Sequence, residues 1–282
     1  MTTLQLPAPI VSVDWLSKNL EHPDLIILDA SIKKVTSSKE IVNQDLQIPG
    51  ARFFDIKKSF SDQDSLLPNM LPSKDIFEKN CRELGVNVDS KIVIYDTIGI
   101  YSSPRAWWMF TVMGHTAVAV LDGGYPEWMK NKLPTENKET TGIYPLGNIK
   151  INDRSKCTVD AQNILFEMNN TNSIILDARS YGRYKGIDPE PRTDLTGGHI
   201  PNSLSLPYTR VLHNTKMLST EKLIAIFLDF DIENKKLIFS CGSGITACII
   251  LLAAKLAGYT NLFIYDGSWS EWGQLDGVPI EC

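Results

Sequence analysis

The chain is poor in the residues that staple or metallate small proteins. Its 282 residues include five cysteines, Cys81, Cys157, Cys241, Cys248 and Cys282, an odd number with no C-x-x-C pair. A regular disulfide framework and a zinc ribbon are therefore excluded, and a reducing compartment is the simpler setting. The four histidines, His22, His115, His199 and His213, are scattered without metal-ligand spacing. No metal and no organic cofactor are expected. A basic run is also missing. Lys and Arg number 28 against 33 Asp and Glu, a formal net charge of −5. Nucleic acid would need a clustered positive field, so it is not an expected partner. No apolar stretch approaches the roughly 20 residues of a membrane span. The opening "MTTLQLPAPIVSVDW" lacks the basic and apolar regions of a signal peptide. The expectation is a cytoplasmic protein with no membrane contact. What the chain does have is 43% hydrophobic against 22% charged residues. That suffices for packed cores in a chain long enough for two domains.

The second half repeats the first. "LIILDA" at 25–30 matches "SIILDA" at 173–178, each a short apolar run ending in an acid, the pattern of a buried parallel strand. "VSVDWL" at 11–16 is matched to "CTVDAQ" at 157–162, with Ser12 and Thr158 read as helix caps. "IPGARFFD" pairs with "IPNSLSLP", "KIVIYD" with "KLIFSC", and "LDGGYPEWM" with "YDGSWSEWG". Five blocks in one order predict a duplicated α/β domain, each copy a parallel sheet flanked by helices. The boundaries read 1–135 for the first domain, 136–156 for a polar linker and 157–282 for the second domain.

One stretch carries chemistry. "IFSCGSGITACII" at 238–250 places Cys241 at the end of a predicted strand, and a helix begins near Ala247 and closes at Gly258. Gly242, Ser243, Gly244, Ile245 and Thr246 make the turn between them. The glycines supply backbone freedom, and the loop N–H groups with the helix start can form an anion nest. Such a nest favours thiolate over thiol. The sequence therefore predicts an open, nucleophilic Cys241, whereas Cys248, one turn into the apolar helix, reads as buried and structural. Three chemistries compete. A cysteine protease needs a histidine partner, and none is identifiable. A cysteine phosphatase needs Arg six residues after the cysteine, where Ala247 stands. The third is sulfur transfer, in which the thiolate takes up a sulfur atom as a persulfide.

The whole set of motifs resembles the two-domain rhodanese superfamily, in its 3-mercaptopyruvate sulfurtransferase branch. The resemblance rests on "CGSGITA", "HIPNS", "SPRAWWM", "MLP", "DARSYGRYKGIDPEPR" and "YDGSWSEWG". It implies a tandem pair of rhodanese-like domains, of which only the second is catalytic. Asp96 stands where Cys241 stands, as in the inactive first domain of that family. It implies that Cys241 carries the sulfur and that Ser243 assists it. Arg183 and Arg192 would hold the carboxylate and ketone of the donor, the Gly242–Thr246 loop would line the substrate site, and Tyr101 would reach it across a cleft. The uncharged loop resembles the mercaptopyruvate branch; thiosulfate enzymes of the family carry basic side chains there. Thiosulfate remains the alternative donor, and a non-catalytic persulfide relay the alternative from another class. The acceptor would be a thiol, cyanide or a thioredoxin-like protein. The sequence departs from the family in one place. The Ser–His–Asp relay seen there would use Ser243 and Asp55, but the histidine position, in "SLLPNMLP", is Asn69. An amide does not take up a proton at neutral pH.

Overall fold

The computed structural model describes residues 4–33, 45–138, 142–152 and 157–282. Two compact units result. One comprises Met1–Gln63, Leu71–Arg154 and Asn214–Lys216; the other comprises Asp64–Met70, Ser155–His213 and Met217–Cys282.

The first unit runs β1 (Ile10–Val11), α1 (Val13–Asn19), β2 (Leu25–Asp29), β3 (Leu46–Gln47), β4 (Arg52–Phe53), α2 (Lys74–Glu83), β5 (Lys91–Tyr95), α3 (Ser103–Val112), β6 (Val118–Leu121), α4 (Gly124–Lys130) and β7 (Glu136–Asn137). The second half runs β8 (Thr158–Val159), α5 (Ala161–Glu167), β9 (Ser173–Asp177), α6 (Tyr181–Tyr184), β10 (Leu204–Ser205), β11 (Leu212–His213), β12 (Lys216–Met217), α7 (Thr220–Leu228), β13 (Lys236–Ser240), α8 (Ala247–Leu256), β14 (Leu262–Tyr265) and α9 (Ser268–Trp272). The two main sheets have orders β1-β6-β5-β2-β4 and β8-β14-β13-β9-β10. All pairings in them are parallel. Strand for strand they are the same sheet, so the duplication read from the sequence is a duplication of topology.

Local chemistry explains the elements. The runs Leu25–Asp29 and Ser173–Asp177 are buried almost throughout, as strands covered on both faces must be. Helix α8 is buried from Ala247 to Ala254 and therefore apolar all round. Its C-terminal end is released by Gly258 at φ +98°. Helix α1 is capped by Ser12, which accepts from the Trp15 N–H. The matching expectation for Thr158 is corrected. Thr158 lies in β8, and α5 is capped by Asp160 in a reciprocal box with Asn163. The repeat is thus in register at 148 residues here, Ser12 to Asp160, as it is from Leu25 to Ser173. Matching on the shared "VD" slipped it by two.

Each unit has its own core. In the first, Leu16, Ile48, Val93, Tyr95, Leu121 and Trp128 pack together; in the second, Ile164, Ile238, Tyr265, Trp269 and Trp272 do. Trp107, Trp108 and Trp128 are buried core residues of the first unit. Among the described residues no helix is long and apolar enough to cross a membrane.

Candidate active site

Cys241 directly follows β13, the central strand of the second sheet. The carboxyl ends of central strands in open parallel sheets are where ligands meet the fold. Two hydrogen bonds pin its backbone to the start of α9. Its N–H donates to Ser268 Oγ at 3.2 Å, and its carbonyl accepts from Trp269 N–H at 2.9 Å. The Gly242 carbonyl accepts from both Ser270 N–H and Oγ, at 2.8 and 2.7 Å. The loop is thereby held down, and Cys241 is 1% exposed. The expectation of an open thiol at the strand end is corrected: Cys241 is buried as deeply as the structural Cys248.

The first unit shows what a loop of this shape does. Asp96 follows β5 as Cys241 follows β13. Its carboxylate accepts from the N–H groups of Ile98 and Gly99 on one oxygen. The other oxygen accepts from Tyr101, Ser102 and Ser103 N–H and from Ser103 Oγ, all at 2.7–3.0 Å. A left-handed glycine turns successive N–H groups inward. It is Gly99 at φ +126° here and Gly244 at φ +74° in the cysteine loop. Along the repeat the N–H donors correspond to Ser243, Gly244, Thr246, Ala247 and Cys248. In the second loop Cys248, the counterpart of Ser103, donates its thiol to the Gly244 carbonyl at 3.3 Å and its N–H to the Ile245 carbonyl at 3.2 Å. Ile245 is buried and Thr246 is the residue from which α8 starts.

Gly242 serves a different purpose from Gly244. Its φ is not positive, so the backbone there is open to any residue. A Cβ at this position would stand 3.1 Å from Arg183 Nη2. The guanidinium thus lies against the loop, and a side chain here would have to push it back by a few tenths of an ångström. Arg183 sits on the one-turn α6, capped by Ser180. Its Nε and Nη2 donate to the two carboxylate oxygens of Glu190, at 3.1 and 2.5 Å. Glu190 also accepts from Arg179 Nη1 at 2.9 Å. Arg179 is fully buried, forked onto Asp177 through Nε and Nη2, bonded to the Gly198 carbonyl, and 4.1 Å from the Trp269 ring centroid. Burial lowers the Arg179 pKa, but the carboxylates of Asp177 and Glu190 outweigh it and hold the guanidinium above its ordinary value. Arg192 has another partner. Its guanidinium pairs with Asp194 at 2.7 Å, and its side chain is 38% exposed.

Asn69 reaches the cysteine loop. It belongs to the short segment Asp64–Met70 that packs with the second unit. Its Nδ2 donates to Ser243 Oγ at 3.1 Å and to the Ser243 carbonyl at 3.3 Å. The residue sits at φ +61°, a left-handed conformation that asparagine tolerates well. Asp55 and Tyr101 are in the first unit. Asp55 Oδ1 accepts from the N–H groups of Lys57 and Lys58. Tyr101 is buried and gives its N–H to Asp96.

Sequence reasoning missed two features. One is Ser268, at φ +51° in the place that Gly124, at φ +53°, holds in the first unit. A serine kept where the backbone favours glycine was a visible signal, and its hydroxyl is what the Cys241 N–H bonds. The other is the buried ion pair of Arg179 with Glu190, 11 residues apart, which the fold brings together.

Taken together, this is a tandem pair of parallel α/β domains in which one strand-end loop holds a carboxylate and its copy holds a thiol. The comparisons agree. Residues 12–131 and 161–275 match the rhodanese-like domain. The chain is 36% identical over 275 residues to 3-mercaptopyruvate sulfurtransferase of Escherichia coli strain K12, covering 96% of this chain and 97% of that one. It is 37% identical over 273 residues to thiosulfate sulfurtransferase of Cricetulus griseus, covering 93% and 91%. The solved structure of SseA from Escherichia coli superposes with a TM-score of 0.81 at 34% identity, over 94% of this chain and all of that one. The chain belongs to the two-domain rhodanese family of sulfur-transferring enzymes.

Proposed function

We propose that the protein moves the sulfur of 3-mercaptopyruvate to a thiol or cyanide acceptor through a persulfide on Cys241. The observation that carries this is the repeat itself. A loop of this shape binds a full carboxylate in the first unit, and in the second a cysteine replaces that carboxylate. By this reading the N–H groups of Ser243, Gly244, Thr246 and Ala247 serve the charge on the sulfur of Cys241, and later the outer sulfur of its persulfide, while that of Cys248 stays with the Ile245 carbonyl.

The reaction runs in two halves. The Cys241 thiolate attacks the thiol sulfur of the donor. A sulfur–sulfur bond forms, the carbon–sulfur bond breaks, and its electron pair leaves on pyruvate enolate, which takes a proton to become pyruvate. The acceptor thiolate or cyanide then attacks the outer sulfur, and Cys241 leaves as thiolate. Arg183, held against Gly242, and Arg192 orient the donor carboxylate and ketone by their planar forks. Ser243 hydrogen-bonds the reacting atoms from the loop, and Tyr101 is a further donor contact implied by the family. The loop Gly242–Thr246 has no basic side chain, which supports mercaptopyruvate over thiosulfate. Reduced thioredoxin-like proteins are the protein class of acceptor. The deciding experiment compares kcat/KM for mercaptopyruvate and thiosulfate with cyanide as acceptor, and mercaptopyruvate is expected to be used better. Preference for thiosulfate would overturn the donor reading. Turnover of neither without a partner enzyme would make the protein a relay.

The Asn69 amide gives Ser243 a hydrogen bond without supplying a base. Replacing it by histidine tests whether proton movement limits turnover. Histidine also tolerates a left-handed backbone better than most residues, so Asn69→His is expected to fold. If a relay limits the rate, kcat rises by about tenfold or more and gains a dependence on a group titrating near pH 6.5. A pH–rate profile beside Ser243→Ala checks it. No gain in the first variant and no loss in the second would remove the relay from this protein.

A further inference from the structure

Arg179, Arg183 and Arg192 are all paired with carboxylates. Arg179 and Arg183 form a closed cluster with Asp177 and Glu190, two positive and two negative charges, and Glu190 joins the halves. The Glu190 side chain is 1% exposed and accepts from three guanidinium nitrogens. Asp194 does the same for Arg192 at the surface. The cluster is fastened to Cys241 on two sides. Arg183 lies against Gly242, and Arg179 lies over Trp269, whose N–H bonds the Cys241 carbonyl. The guanidinium that faces the loop therefore offers directed N–H groups but little net charge.

We propose that Glu190 is a specificity-determining positioning residue. It fixes the Arg183 fork against the cysteine loop and cancels its charge, so that the site selects a singly charged sulfur donor and disfavours a doubly charged one. This rests on the donor reading above. A monoanionic α-keto acid needs oriented hydrogen bonds, which a neutralised fork supplies. A compact dianion such as thiosulfate gains chiefly from net positive charge, which Glu190 removes.

The test is Glu190→Gln, which keeps the shape and one acceptor oxygen and deletes the charge. Two readouts are needed. The first is the ratio of kcat/KM for thiosulfate to that for mercaptopyruvate. The second is the ratio of calorimetric Kd values for sulfate, a dianion, and pyruvate, a monoanion, which needs no turnover. Both ratios are expected to move about threefold to tenfold toward the dianion, through KM and Kd, because an unmasked charge acts twice on a double charge. Glu190→Asp, which retains the charge, should leave both ratios near wild type. A merely structural Glu190 would weaken both anions alike in Glu190→Gln, and an unchanged ratio in the folded variant overturns the proposal. Should that variant not fold, the wild-type protein decides: sulfate is expected to bind no tighter than pyruvate, and binding about tenfold tighter overturns the proposal. If the Kd ratio shifts while neither donor is turned over, only the donor reading fails.

Discussion

Cys241→Ser is expected to lose sulfur transfer completely, by about 10⁴-fold or more, since the hydroxyl is neither nucleophilic nor able to hold a second sulfur. The backbone bonds that hold the loop come from Ser268, Trp269 and Ser270 and do not involve the thiol. The loop conformation should therefore survive. Because position 241 is 1% exposed, the new hydroxyl must find a partner or cost about 1–3 kcal/mol of stability. Mass spectrometry after donor treatment should show one added sulfur atom on the wild type and none on the variant. A sulfur found on Cys248 instead, or an active serine variant, would sink the assignment of Cys241. Neither is expected, because the Cys248 thiol is already committed to the Gly244 carbonyl.

Arg183→Ala is the second large effect. Loss of a charge-assisted fork to the donor should lower kcat/KM for mercaptopyruvate by about 1.5–3 kcal/mol, roughly 10- to 150-fold. The same change removes one cation from a buried neutral cluster and leaves Glu190 with Arg179 alone. An excess negative charge is then buried, so a stability loss of about 2–4 kcal/mol is expected as well. Arg192→Ala should separate the two effects. Its ion pair lies at the surface, where solvent screens it, and contributes little to the fold. It should thus lose activity without losing stability. Arg183→Lys should recover part of the activity only, since an ammonium cannot occupy both oxygens of Glu190 in the plane that the fork uses. Denaturation midpoints measured beside the kinetics check each case. Wild-type kcat/KM in both alanine variants would mean that the donor is held by other groups.

Much was legible before folding was considered. The fold class was written in short apolar runs ending in acids, repeated in one order, because parallel strands buried on both faces leave that pattern without help from distant residues. The cysteine loop was legible because a strand end, a glycine and a helix start are local in sequence. Asp96 could be set against Cys241 for the same reason.

What escaped the sequence depended on atoms brought together across the chain. Register between the repeats at Thr158 was misread because identical letters were matched, whereas the strand pairing obeys the sheet. The burial of Cys241 depends on α9, which is 27 residues away at Ser268. Arg183 and Arg192 looked alike nine residues apart in one loop. The tertiary structure gave one a buried carboxylate and the cysteine loop, and gave the other an exposed neighbour. Asn69 could be recognised as unable to carry a proton, but only the fold set its amide on Ser243, 174 residues ahead. Composition and local spacing therefore determined the kind of fold and singled out Cys241. Charge balance around Cys241 was decided by packing, because the strength and sense of a charge depend on which partners burial places within hydrogen-bonding distance.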